Sequence, residues 1–451
     1  MPYRKPDGPK ESFKHPVRLS PNGCKSCGKA YFANFAAQAW KRRRNQKAYR
    51  TKYMKVNLPS HEIIETEEDL QRFHALNADS PWICFDTEFI GEKRFYTTIC
   101  LIQIATPKGN FLIDPIKLPN IQPVLDMLAD EKILKIAHAA SNDYRLIYNH
   151  YGVIARNTFD TQIASAFLGY KYPVAFNKLL ESELKIRIGK GFSVTDWEKR
   201  PFPKKQLRYA LYDVIYLYNL FGKLKEKLDA LGRFDWAMEE CKTLENAEFY
   251  ETDPYKETLQ SNLIRGLRFN EKVMLLRLLL WRTEEARRKN YSKEMILPGK
   301  YISAIVRGAR EGIDAFKHNR RLPDSLVQKY GKLFIEMYNQ PVTEEEKEVL
   351  SRLPKDGYED PKHEIMMEML DLLVRYKCLE AGISHHMVLP RQAFKKMKNT
   401  AGYMDPSLLE GWRKEFLGPE IVSWFNHRHE LRIAFTEGKF ELKMSKEFNG
   451  V

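Results

Sequence analysis

Five side chains in three separate segments restrict what this chain can fold into more than any other feature: Asp86 with Glu88, then Asp143, then Tyr209 with Asp213. Asp86 and Glu88 lie within Trp82-Ile83-Cys84-Phe85-Asp86-Thr87-Glu88-Phe89-Ile90, whose aromatic and β-branched content reads as a strand. Residues i and i+2 of a strand point to one face, so the two carboxylates converge. On an otherwise apolar strand they repel each other unless a cation lies between them. The plainer alternative is a solvated strand end.

Asp143 opens Asn142-Asp143-Tyr144-Arg145-Leu146-Ile147, which reads as a helix following the apolar run Ile133 to Ala137. An acid in a first helical turn is also common for purely electrostatic reasons. Tyr209 and Asp213 fall in the helical stretch Gln206 to Leu217. An i, i+4 pair shares one face with Cβ atoms about 5–6 Å apart, which sets a phenol beside a carboxylate. A tyrosine on a half-buried helix is equally an ordinary core residue. Taken together, four carboxylates and a phenol suit a site for two divalent cations acting on a phosphodiester. Oxygen ligands without His or Cys favour hard ions, so Mg²⁺ or Mn²⁺ is expected.

The order and flanks of these clusters resemble the tyrosine-containing branch of the DEDD 3′→5′ exonuclease superfamily, and within it the ribonuclease D family. Leu101-Ile102-Gln103-Ile104-Ala105 resembles the family's second strand. His138-Ala139-Ala140-Ser141-Asn142-Asp143 resembles its second motif, with Asn142 where an acid is more usual. Phe159 to Ala164 resembles the helix start that follows, and Thr195-Asp196-Trp197 with Arg200-Pro201 the approach to the third motif. Tyr172 to Phe176 departs from the pattern, which more often has a glycine-led turn there.

The resemblance implies an α/β exonuclease domain, a ribonuclease H-like mixed sheet flanked by helices, followed by two all-α helical bundles. It implies that Asp86, Glu88 and Asp213 ligate one cation, with Asp86 bridging to a second that Asp143 holds directly or through water. Tyr209 would orient the attacking water, a task for which a phenol is adequate. Thr87, Phe89, Gln103, His138 and Lys190 are candidate substrate contacts, and Asp160 is a further candidate near the site. A lone histidine before a helix is also an ordinary structural residue. The implied reaction hydrolyses terminal phosphodiesters of RNA and releases 5′-mononucleotides.

Charge is unevenly placed. Residues 1–55 hold 15 Lys or Arg and two acids, whereas the remaining 396 residues carry 59 basic and 57 acidic side chains. The net +15 therefore belongs mostly to a basic tail centred on Lys41-Arg42-Arg43-Arg44, with Trp40, Tyr49 and Tyr53 interleaved. Such a block is usually disordered and often binds nucleic acid, its aromatics stacking on bases. Met54 is an alternative start, and a basic, acid-poor leader also suits a presequence, although Ser-rich amphipathic character is missing. Cys24-Lys25-Ser26-Cys27 resembles half a zinc knuckle without a second cysteine pair, so zinc is not expected. Six scattered cysteines and no visible signal peptide point to free thiols in a reducing compartment.

No apolar run reaches the 18 or more residues of a membrane span. Beyond about residue 230 the pattern reads as helices only. Glu271 to Lys289 with Ile296-Leu297-Pro298, and Glu364 to Ala381 with Met387-Val388-Leu389-Pro390, form a rough repeat. Both copies resemble the helicase-and-RNase-D C-terminal (HRDC) domain. Expected boundaries are 1–55 for the tail, 56–242 for the exonuclease domain, and 255–342 and 358–451 for the two helical domains, with Pro354-Lys355-Asp356-Gly357 as turn material between them. The expected protein is a cytoplasmic monomer acting on tRNA precursors and other structured RNAs with accessible 3′ ends. Two alternatives stay open: a 3′→5′ DNA exonuclease, and a nucleic-acid binding scaffold with a vestigial site.

Overall fold

The computed structural model describes residues 58–189, 195–251, 253–353, 361–400, 403–426, 431–436 and 439–444. The tail, Cys24 and Cys27, Lys190 and the turn at 354–357 lie outside the described residues.

The first part is a six-stranded mixed sheet built from β1 (Glu62–Ile64), β2 (Trp82–Ile90), β3 (Thr98–Thr106), β4 (Gly109–Ile113), β5 (Leu134–Ala137) and β6 (Thr158–Asp160). Their spatial order is β1-β4-β3-β2-β5-β6. β2, β3 and β4 form an antiparallel meander, and β1, β5 and β6 join it in parallel. Helices α1 (Glu67–Asn77), α2 (Gln122–Ala129), α3 (Ser141–Tyr151), α4 (Thr161–Ala166), α5 (Phe176–Glu183), α6 (Lys204–Ile215), α7 (Leu217–Ala230) and α8 (Phe234–Cys241) surround the sheet.

The central strands are buried on both faces, which is why β3 reads as a continuous apolar run broken only by Gln103. On one face Ile83, Phe85, Ile102, Ile104, Phe111 and Ile113 pack with residues of α1, α2 and α3. On the other, Leu101 and Leu112 pack beneath Leu207, Ala210 and Leu211 of α6, and Cys84, Ala105 and Ile136 beneath Val214 and Leu217. Alternation along β2 therefore turns Cys84, Asp86 and Glu88 toward α6.

Helices follow: α9 (Lys256–Leu259), α10 (Phe269–Lys289), α11 (Lys293–Ile296), α12 (Gly299–Gly308), α13 (Ile313–His318), α14 (Asp324–Asn339) and α15 (Glu344–Ser351). They close a core of their own around Leu275, Leu278 and Leu279 of α10, with Ile305, Phe316 and Phe334. Arg277 interrupts that apolar helix without an unpaired charge, because its guanidinium meets Glu346 (Nε–Oε1 2.5 Å) and the Pro341 carbonyl.

Next come α16 (Pro361–Ala381), α17 (His385–Val388), α18 (Arg391–Asn399) and α19 (Gly411–Asn426), the last kinked where Gly418 takes φ 75° before Pro419. Their core is continuous with that of the exonuclease part. Trp412 packs edge-on against Phe167 of the segment after α4, with ring centroids 4.7 Å apart. Its indole N–H donates to Glu240 of α8 (2.8 Å), which also receives Arg413.

The helices-only reading beyond residue 230 needs one correction. β7 (Leu431–Thr436) and β8 (Lys439–Met444) form an antiparallel hairpin after α19. Leu431, Ile433 and Phe435 recur every second residue, as do Phe440, Leu442 and Met444, which is the period of a strand.

Candidate active site

β2 and β3 pair with Asp86 opposite Gln103 and Glu88 opposite Leu101; the register then slips, leaving Cys100 as an extra residue before Phe89 pairs with Ile99. Bulges of this kind re-aim side chains beside active sites. The carboxylates of Asp86, Glu88 and Asp213 converge so that one oxygen of each lies within 4.8 Å of the others. Asp213 comes from α6, anchored over this face by Leu207, Ala210 and Leu211. Tyr209, one turn earlier on the same face, sets its phenol beside the Asp213 carboxyl.

The segment leading into α6 is clamped to the sheet. Arg200 donates to both carboxylate oxygens of the fully buried Asp114 (Nη2–Oδ1 2.7 Å, Nε–Oδ2 2.5 Å) and to the carbonyls of Cys100 (2.8 Å) and Trp197 (2.6 Å). Nothing in the sequence pairs residues 86 positions apart, so Asp114 escapes a reading of motifs.

Asp143 arrives from the other side, in the first turn of α3 just past the end of β5. The turn between them requires Ala139 at φ 60°, a costly conformation for alanine. The Asp160 carboxylate secures it by accepting the N–H groups of Ala139 (3.1 Å) and Ala140 (2.8 Å) while capping α4 at Gln162 (2.7 Å) and Ile163 (3.3 Å). Asp160 is thus a buried structural anchor, with its lone pairs spent on backbone. Thr87, on the opposite face of β2 from its two acidic neighbours, donates its hydroxyl to Asp143. Asp143 stands outside the tight trio yet close enough to raise the carboxyls of Asp86, Glu88 and Asp213.

Burial dominates the electrostatics, and mutual repulsion adds to it. Burial and the neighbouring acids Asp143, Asp213 and Glu88 hold Asp86 well above the carboxylate range. Glu88 is pushed up to about 9, by burial and then by Asp213 and Asp143. Asp213 rises to about 7, chiefly by burial, and Asp143 to about 6, burial outweighing the Thr87 hydrogen bond. Among the described residues no ion pair reaches any of the four. A cluster of this kind binds protons or cations, and its all-oxygen donor set fits a divalent ion.

Other expected contacts separate by position. Phe89 is 40% exposed, with its ring open to solvent. Gln103 is fully buried opposite Asp86. His138 has both ring nitrogens engaged, with the Thr161 hydroxyl (2.9 Å) and the Val174 carbonyl (3.2 Å), so its ring braces α4 and the segment before α5.

The family model for a 3′–5′ exonuclease matches residues 61–229. The chain is 30% identical to ribonuclease D of Sphingobium indicum over 399 residues, covering 86% of this chain and 99% of that one. It is 26% identical to ribonuclease D of Nitrobacter hamburgensis over 386 residues, covering 84% and 98%. Among solved structures, that of Escherichia coli RNase D, an exoribonuclease involved in structured RNA processing, aligns with a TM-score of 0.70 at 23% identity, over 81% of this chain and 99% of that one. A protein from Bifidobacterium adolescentis aligns at 0.63 and 18% identity, over 82% and 100%.

Proposed function

This chain belongs to the ribonuclease D family and is a 3′→5′ exoribonuclease; we propose that it works with two divalent cations, Mg²⁺ or Mn²⁺, and trims the 3′ ends of tRNA precursors and other structured RNAs. The observation that carries the reading is the convergence of the Asp86, Glu88 and Asp213 oxygens within 4.8 Å. Asp86, Glu88 and Asp213 would hold one ion, and Asp143 together with Asp86 would hold the second. Cations there supply charge neutralisation and Lewis-acid polarisation at the scissile phosphodiester.

Tyr209 acts as a positioner. Burial and the carboxylates of Asp213, Glu88 and Asp86 push its phenol above the usual range, so it stays protonated at neutral pH. A protonated phenol orients a water by hydrogen bonding; it does not act as the base. Thr87 holds Asp143 in place from behind the strand. The exposed Phe89, next to Glu88 in sequence, is the candidate to stack on a terminal base.

The helical parts at 255–342 and 358–451 are read as HRDC-like domains that grip RNA away from the cut bond, and the basic tail at 1–55 as a phosphate-binding extension. The proposed setting is a cytoplasmic monomer. Among the described residues no helix is long and apolar enough to cross a membrane.

Asp86→Asn tests the metal assignment because it removes the shared charge and keeps the volume. Turnover should collapse by a factor corresponding to at least several kcal/mol, with the thermal unfolding profile preserved. Near-native turnover by the folded variant would contradict the assignment.

A further inference from the structure

Gln103 is the one polar residue in the middle of β3, between Ile102 and Ile104, and it is 0% exposed. Neither its Nε2 nor its Oε1 finds a hydrogen-bond partner among the described residues. Its strand neighbours are Asp86 on one side and Leu112 on the other. Residues directly opposite in antiparallel strands share a face, so the amide stands beside Asp86 on the side covered by α6. The apolar cluster on that face includes Leu101, Leu112, Leu207 and Leu211, with Trp197 among them and Tyr209 packed against it.

A buried amide with both ends unpaired weakens a fold, and an apolar side chain of the same shape would suit this position better. Asp86, directly opposite on the same face, offers it a carboxylate acceptor. A ligating carboxylate keeps further lone pairs free to accept from an N–H donor that no other described group claims.

We propose that Gln103 is a positioning residue for the metal site: its amide N–H holds the Asp86 carboxylate in ligating orientation, so that the side chain contributes to cation affinity and not to the metal-free fold. The proposal rests on the metal-site reading above. Groups of this kind, hydrogen-bonded to a ligand, are worth roughly 10–100-fold in metal affinity.

Gln103→Met, unbranched and of similar length but apolar, separates the two roles in the full-length protein. Mn²⁺ binding is followed by electron paramagnetic resonance and thermal unfolding in EDTA by fluorimetry. The variant should unfold in EDTA at or above the wild-type temperature and bind Mn²⁺ roughly 10–100-fold more weakly. An Mn²⁺ affinity reduced less than tenfold in the folded variant overturns the proposal. Should the Met variant fail to fold, Gln103→Asn, which keeps the amide but withdraws it by one methylene, is judged by the same tenfold criterion. Asp86→Asn serves as the control: if it binds Mn²⁺ as tightly as wild type, the metal-site reading itself fails, whereas a failure confined to Gln103 leaves that reading standing.

Discussion

Replacing Arg200 by Ala should cost both stability and turnover, although the residue contacts none of the four carboxylates. Its guanidinium forms a two-bond ion pair with Asp114, which is 0% exposed, and donates to two further carbonyls. It also lies over the Phe202 ring, 3.9 Å from the centroid. Removing one partner of a buried pair leaves the other charge without compensation, at about 3–5 kcal/mol. Arg200 retains some solvent contact (16% of its side chain), so the low end of that range is expected. Because the clamp fixes the segment entering α6, its loss also loosens Tyr209 and Asp213, and a misplacement of about 1 Å is worth on the order of 10²-fold in rate. The assay is urea unfolding of wild type, Arg200→Ala, Asp114→Asn and the double variant, with turnover measured below each transition. The double variant should recover part of the stability lost in Arg200→Ala, since the orphaned charge is gone. An unchanged urea midpoint together with unchanged turnover in Arg200→Ala would refute the reasoning.

Tyr209→Phe keeps the ring and deletes the hydroxyl, so turnover should fall roughly 10–1000-fold with little change in RNA or cation affinity; unchanged turnover, measured on a short oligonucleotide, would return Tyr209 to the core. The raised carboxyls also make metal-free stability depend on pH. Unfolded Asp and Glu titrate near 4, whereas Asp143, Asp213 and Glu88 titrate at about 6, 7 and 9 in the folded protein. The protonated fold therefore has its full stability below about pH 4 and loses it as pH rises through 6 to 9. Thermal unfolding in EDTA should show this decline, and the stabilisation given by Mg²⁺ should grow from pH 6 to 9; a Mg²⁺ effect independent of pH would contradict the cluster's electrostatics.

Much of the acidic cluster could be read from the sequence because its side chains sit on regular elements with short periods. Period-two alternation placed Asp86 and Glu88 on one face of the strand Trp82–Ile90, and the i, i+4 spacing placed Tyr209 with Asp213 on a helix. What the sequence hid were contacts between distant segments. The family resemblance offers Thr87 as a candidate substrate contact; its side chain alternates to the other face and finds Asp143, 56 residues away. His138 and Asp160 sit in the right motif, but their polar atoms are occupied by Thr161, Val174 and four backbone amides. The repeat of helix and Leu-Pro suggested two equivalent helical units. Among the described residues the first closes its own core, whereas Trp412 ties the second to the exonuclease part. Apolar periodicity marks which face of a helix is buried, not what covers it.

The central claim is metal-dependent hydrolysis of RNA from its 3′ end. It is tested most directly by incubating the full-length protein with matched single-stranded RNA and DNA, each labelled at the 5′ end and separately at the 3′ end, in Mg²⁺, Mn²⁺ or EDTA. The account predicts that 5′-labelled RNA shortens through a ladder of single-nucleotide steps and that 3′-labelled RNA yields labelled 5′-mononucleotide from the earliest time points. Both should cease in EDTA, and DNA should be cut far more slowly. Degradation that persists in EDTA, internal cuts, or DNA hydrolysed as fast as RNA would contradict it.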